Sequence, residues 1–195
     1  MQLDLRFTSR PLHAIWCEAV VGFVYKDSFL TEGHVAGVDQ KTSAYLRYLN
    51  KKGFWDGAIG ETLLIAGEER LRADKVLFKG LGPRDELKPE ELIEQVVAAS
   101  RLLEAMGVQS FAVKIPLLGD MDRHVGQLEK TVKEMMGPFI QRHMPEEDYL
   151  LTALFSVETV MLEVLREMEA KLKAYFEPTI YCTLVVEPSG SGANI

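Results

Sequence analysis

Two stretches decide the fold: Gly60-Glu61-Thr62-Leu63-Leu64-Ile65-Ala66-Gly67 and, after a polar connector, Lys75-Val76-Leu77-Phe78-Lys79-Gly80-Leu81-Gly82-Pro83-Arg84. Each carries a short apolar run bounded by polar or glycine positions, the pattern of a strand. The second run turns on Gly80-Leu81-Gly82. Pro89, Glu90 and Glu91 then announce a helix, because proline suits a first helical position and carboxylates favour the amino end of the helix dipole. Leu92, Val96, Ala99, Leu103 and Met106 recur at helical spacing, and Gly107 ends the segment. A strand, a glycine turn and an amphipathic helix in that order make a βα unit.

Toward the amino end, Leu3, Leu5 and Phe7 alternate with Asp4, Arg6 and Thr8, which predicts a strand with one wet face. Ala14 to Tyr25 is nearly continuous apolar sequence and predicts a strand covered on both faces. Asp39 reads as an N-cap for a helix carrying Tyr45, Leu46 and Leu49, with Lys51, Lys52 and Gly53 closing it. Toward the carboxyl end come a strand at Ser110–Ile115, a helix from about Asp122, and a strand at Tyr149–Phe155. A helix with Met161, Leu165, Met168, Leu172 and Tyr175 on one stripe follows, then a strand at Thr179–Glu187. Gly137-Pro138 should break or kink the helix that contains it, since proline removes a donor and clashes with the preceding turn. The alternation predicts an α/β fold with a mixed, largely parallel sheet and helices on both faces. One domain is expected over residues 1–187, with 188–195 as a flexible tail.

The chain has 195 residues and a net charge of −7. A chain of this length buries about 70% of its unfolded surface, enough for a core without staples. The acidic balance argues against nucleic acid, whose binders need a cationic face to displace phosphate counterions. No apolar stretch approaches the ~20 residues that span a bilayer. The start of the chain reads as a strand rather than a secretion signal, so a cytoplasmic location without membrane contact is expected. Cys17 and Cys182 lie in apolar runs far apart, which reads as two reduced, buried thiols.

Gly57, Gly60, Glu61, Gly80, Leu81 and Gly82, in that order and spacing, resemble the N-terminal domain of the leucyl (cytosol) aminopeptidase family. There a Gly-x-x-Gly-Glu segment leads into a strand, and a second strand ends in Gly-Leu-Gly before a helix. The resemblance implies a three-layer, macro-domain-like α/β/α fold. It also implies that the chemistry of such enzymes belongs to a separate C-terminal domain holding two metals. No segment here resembles that domain's metal-binding motifs. The expectation is therefore a non-catalytic domain without cofactor or metal, acting through a homo-oligomer, a separate protein partner or a small anionic ligand.

The glycines Gly80 and Gly82 with Arg84 are the candidate ligand-binding residues. Glycine lets backbone amides approach an anion, and open α/β sheets bind ligands at the carboxyl ends of strands. A nucleotide-like or ADP-ribose-like molecule is the alternative function for this crevice, as sensor or hydrolase. A tight strand-to-helix turn is the plainer reading, because Gly-x-Gly lacks the third glycine of a dinucleotide fingerprint. Asp120, Asp122 and His124 could bind a divalent ion, but Asp122 as a helix cap suits its position better. His13, His34 and His143 read as surface residues, and no catalytic residue is assigned.

Overall fold

The computed structural model describes residues 1–27, 33–116, 118 and 121–187. The candidate tail 188–195, Asp120, and the side chains of Asp122, His124 and His34 lie outside what is described. Among the described residues seven strands form one sheet: β1 Gln2–Thr8, β2 Cys17–Val24, β3 Thr62–Ala66, β4 Ala73–Gly80, β5 Ser110–Lys114, β6 Leu150–Ser156 and β7 Tyr181–Val186. Their order is β3-β4-β2-β5-β6-β1-β7, parallel throughout except for the antiparallel β3. The mixed, largely parallel α/β sheet read from the alternation is the sheet observed.

Among the described residues five α-helices flank it: α1 Gly33–Lys41, α2 Tyr45–Lys51, α3 Pro89–Ala105, α4 Met121–His143 and α5 Met161–Phe176. The side chains of α3, α4 and α5 pack on one face against Leu3, Leu5, Phe7, Val21, Phe23 and Phe111. Residues of α1 and α2, with Leu12 and Ile15, pack on the other against Val20, Val24, Val76 and Phe78. β2 thus contributes alternate residues to both cores, as its continuous apolar sequence predicts.

Three expectations need correction. Asp39 does not start a helix; it lies near the end of α1, fully buried. Its Oδ1 accepts the amides of Leu46 at 2.8 Å and Arg47 at 3.3 Å. It therefore satisfies the orphan donors at the start of α2 from the preceding helix. Proline at 138 does not end α4, which runs on to His143. A proline displaces the carbonyls one turn before it. The carbonyl that loses its donor to the proline is that of Glu134, and beside it the buried Ser100 hydroxyl on α3 donates to the Met135 oxygen, tying α4 to α3. The stripe of α5 ends on the buried Phe176, while Tyr175 is exposed under Lys133, whose Nζ is 4.6 Å from the ring centroid.

Candidate functional site

The parallel strands β2 and β4 end side by side, with Val24 in register with Gly80. Their ladder runs two residues further, through Leu81 N to Val24 O at 2.9 Å and Lys26 N to Gly82 O at 2.9 Å. From the other side the turn before β3 closes in. Gly80 N donates to Glu61 O and Gly82 N to Gly57 O, both at 2.9 Å. The amides of Gly80, Leu81 and Gly82 are thus all engaged with the chain's own carbonyls. A Cβ on Gly80 would stand 2.1 Å from the Ala58 oxygen, and Gly82 has φ +71°. Close approach and a left-handed turn are what these glycines supply.

Glu61 plays a part the sequence reading missed. Its Oε2 accepts the amides of Asp56, Gly57 and Ala58 at 3.3, 3.0 and 3.1 Å. Successive amides turned to one side form a concavity for an anion. Here the chain fills it with its own carboxylate. The signal was present as Gly57-x-x-Gly60-Glu61, since Gly57 and Gly60 take φ +80° and +83° to make the turn.

Arg84 follows the glycine turn, at the start of the short 3-10 segment Arg84–Glu86. Its amide donates to both carboxylate oxygens of Asp27 at 3.2 Å, and its guanidinium lies 4.5 Å from the Tyr25 ring centroid. The Tyr25 hydroxyl is buried and has no hydrogen-bond partner among the described residues. Burial pushes its pKa up, with the charge of Arg84 partly offsetting that rise. Lys26 and Asp56 form an exposed ion pair at 2.6 Å alongside. Beneath, the buried Lys79 ammonium donates to Thr62 Oγ1 at 2.7 Å and Gly60 O at 3.1 Å, and burial lowers its pKa.

The remaining candidates disperse. His13 is half-buried, packed where a Cβ on Gly37 would meet its Nδ1 at 2.6 Å. His143 is not a surface residue: its side chain is 14% exposed and stacks on Tyr149 with centroids 3.8 Å apart. Its nitrogens face Glu146 at 2.9 Å and Glu104 at 3.4 Å. Cys17 and Cys182 are both free thiols, half-buried and buried. Among the described residues no group of three or more His, Cys, Asp or Glu could hold a metal ion, and no helix is long and apolar enough to cross a membrane.

The two sheet edges are the other candidate surfaces. In β7, Tyr181, Thr183 and Val185 are exposed while Cys182 and Leu184 are buried. Glu187 N donates to Phe7 O at 2.8 Å, so by alternation the amides of Cys182, Leu184 and Val186 face away from β1. The sheet face that carries Tyr181 and Val185 also exposes Leu150 of β6, with Asp4 and Arg6 of β1 paired at 2.8 Å between them. At the opposite edge, Gly67 N to Asp74 O (2.7 Å) and Gly80 N to Glu61 O (2.9 Å) set the β3–β4 ladder. Thr62, Leu64 and Ala66 therefore turn their amides outward.

A family model described as the cytosol aminopeptidase family, N-terminal domain, matches residues 20–135, more than half of the chain. A probable cytosol aminopeptidase of Halorhodospira halophila is 30% identical over 123 residues, 63% of this chain and 24% of the relative. One from Haemophilus ducreyi is 26% identical over 107 residues, 55% of this chain and 21% of the relative. The chain thus spans about a quarter, or less, of the length of these curated relatives. A tomato leucine aminopeptidase variant shares the fold with a TM-score of 0.60 at 10% identity, covering 80% of this chain and 33% of that one. The macrodomain of Mycobacterium tuberculosis DarG does so with a TM-score of 0.56 at 14% identity, covering 77% and 96%. The Trypanosoma brucei macrodomain in complex with ADP-ribose gives 0.55 at 15% identity, covering 88% and 68%. The fold is macrodomain-like, and at these identities the likeness to solved structures is one of fold.

Proposed function

The chain belongs to the cytosol aminopeptidase family through its N-terminal domain, and from that premise we propose that it is a non-catalytic member that works by assembly, pairing with a second copy along β7. The observation that carries this reading is the character of that edge. Natural sheets blunt their edges with charge, proline or bulges, because an unpaired edge templates further pairing. Tyr181–Val186 contains no charged residue, no proline and no glycine, and its outward amides are continuous with the exposed Tyr181 and Val185. A two-fold axis lets such a strand pair antiparallel with itself, the isologous contact on which most homodimers rest. Sedimentation equilibrium tests it. A dimer at micromolar concentration is the expected result, and a monomer at every concentration overturns it. A separately encoded chain binding the same edge would give a monomer alone and a heterodimer on mixing.

A second reading has its own observation. The buried Tyr25 hydroxyl, without a hydrogen-bond partner among the described residues, lies under Arg84 at the carboxyl ends of β2 and β4, where α/β sheets take ligands. The reading is a nucleotide-like or ADP-ribose-like anion beside the turn of Gly80 and Gly82, whose amides are already engaged, with Arg84 supplying the charge and Tyr25 a donor. ADP-ribose at 100 times its dissociation constant would stabilise the fold by about 2.7 kcal/mol. A melting shift that Arg84→Ala abolishes supports this reading; no shift at millimolar ADP-ribose rejects it.

A further inference from the structure

A strand that pairs with its own copy has few registers open to it, and β7 distinguishes among them. Glu187 N donates to Phe7 O at 2.8 Å, and Phe7 is in register with Val186. The odd-numbered residues of β7 therefore turn their amides and carbonyls to β1, and Cys182, Leu184 and Val186 turn theirs outward. In an antiparallel pair, outward residues stand opposite one another and exchange hydrogen bonds in both directions. A two-fold axis centres the pairing on one residue of the strand. Centred on Leu184, Cys182 meets Val186 of the second copy and Leu184 meets its counterpart, so every outward residue of β7 is engaged. Centred on Thr183, Val186 faces Ile180, whose amide is already taken by Phe176 O at 3.0 Å. Centred on Val185, Cys182 finds no partner within β7. Centres nearer either end engage fewer still.

The side chains favour the same centre. On the solvent face Thr183 stands beside Val185 of the second copy in a non-hydrogen-bonded pair, where side chains are closest and β-branched neighbours pack well. On the inner face Cys182 and Leu184 belong to the main core, and Val186 packs against it. Leu184 against its counterpart, and Cys182 against Val186, prolong that core across the axis. Asp4 and Arg6 of β1 are in register with Thr183 and Val185. The row across the axis then reads Asp4, Thr183, Val185, Arg6, with opposite charges at its ends. A centre on Thr183 would set Asp4 in one row with Asp4 of the second copy. Three strand spacings, about 14 Å, separate these charges, so this preference is secondary to the hydrogen bonds.

We propose that β7 pairs with a second copy in one register, antiparallel, with the two-fold axis through Leu184. This rests on the assembly through β7 proposed above and adds to it which residues meet. Thr183 and Val185 are neighbours across the axis. The two Cys182 thiols are not: each lies four residues out of step with the other, about 13 Å along the strand, so oxidation leaves the wild-type dimer without a disulfide.

Disulfide trapping tests the register. In a Cys17→Ala, Cys182→Ala background, Thr183→Cys and Val185→Cys are made in separate chains. Opposite residues of a non-hydrogen-bonded pair have Cα atoms about 4.5 Å apart, within disulfide reach. An offset of two residues puts them at roughly 7–8 Å, which a disulfide does not bridge. Under mild oxidation neither variant alone should form a covalent dimer, and the two mixed should. Self-linking of Thr183→Cys places the axis on Thr183, self-linking of Val185→Cys places it on Val185, and either overturns the proposal. So does a mixture that stays unlinked while sedimentation shows it to be dimeric. A wild-type chain that is monomeric at every concentration overturns the assembly itself, and the register with it. Hydrogen exchange on the wild-type chain needs no substitution. The amides of Cys182, Leu184 and Val186 should all be protected in the dimer and lose that protection on dilution. Cys182 or Val186 exchanging in the dimer as fast as in the monomer would contradict the Leu184 centre.

Discussion

A Cβ on Gly80 would lie 2.1 Å from the carbonyl oxygen of Ala58, so the end of β4 and the turn before β3 meet backbone to backbone. Gly60, in the same turn, has open space around its missing Cβ and φ +83°. The two glycines therefore predict different costs. Gly80→Ala must push backbone aside and should destabilise by about 3 kcal/mol. Gly60→Ala meets left-handed strain alone, about 1 kcal/mol. Urea midpoints at unchanged m-value separate the two, and equal costs would contradict the close contact.

Glu61 should matter through its carboxylate rather than its bulk. Three amides converge on Oε2, and hydrogen bonds to a charged acceptor are the stronger ones. Glu61→Ala should cost about 2 kcal/mol and Glu61→Gln roughly half of that. Phosphate or sulfate that restores the stability of Glu61→Ala would identify the vacated amides as an anion seat.

The thiols predict how the fold responds to alkali. Burial pushes Cys17 up to about 12 and Cys182 to about 11, from an ordinary 9.0. Above pH 9 the unfolded chain releases protons that the folded chain retains, so stability falls as pH rises. Below pH 9 both states hold the protons and these groups contribute no slope. Unfolding midpoints should be flat through neutrality and decline above about pH 9. Cys17→Ala with Cys182→Ala should reduce that decline, whatever it does to the neutral-pH value.

Asp39 illustrates where local reading stops. Its residue type suggests a helix cap, and it does cap one, but the helix begins six residues later and the contact crosses a turn. Asp39→Ala should cost about 1 kcal/mol or more, since Leu46 N loses its acceptor. By contrast, every strand and α3 were legible, because each rests on periodicity and on glycine or proline signals within its own few residues. The start of α4 and its apolar stripe were legible too, but its continuation past Pro138 to His143 was not, because a proline read locally says stop. In the candidate site the glycine turn was legible as a turn. That its amides are all taken by Val24, Gly57 and Glu61 follows from strand pairing, which no window of sequence contains. The two edges became visible only with the strand order, since an edge is a property of the sheet and not of the strand.

The most direct test of assembly through β7 is sedimentation equilibrium of the wild-type chain beside Val185→Lys. Val185 is 37% exposed on the open face of the edge strand, so lysine there leaves the core alone while adding the edge charge that natural sheets use to block pairing. The account predicts a wild-type mass of twice 21.9 kDa and a Val185→Lys monomer with an unchanged melting temperature. A wild-type monomer at all concentrations, or a dimer indifferent to the substitution, would contradict it.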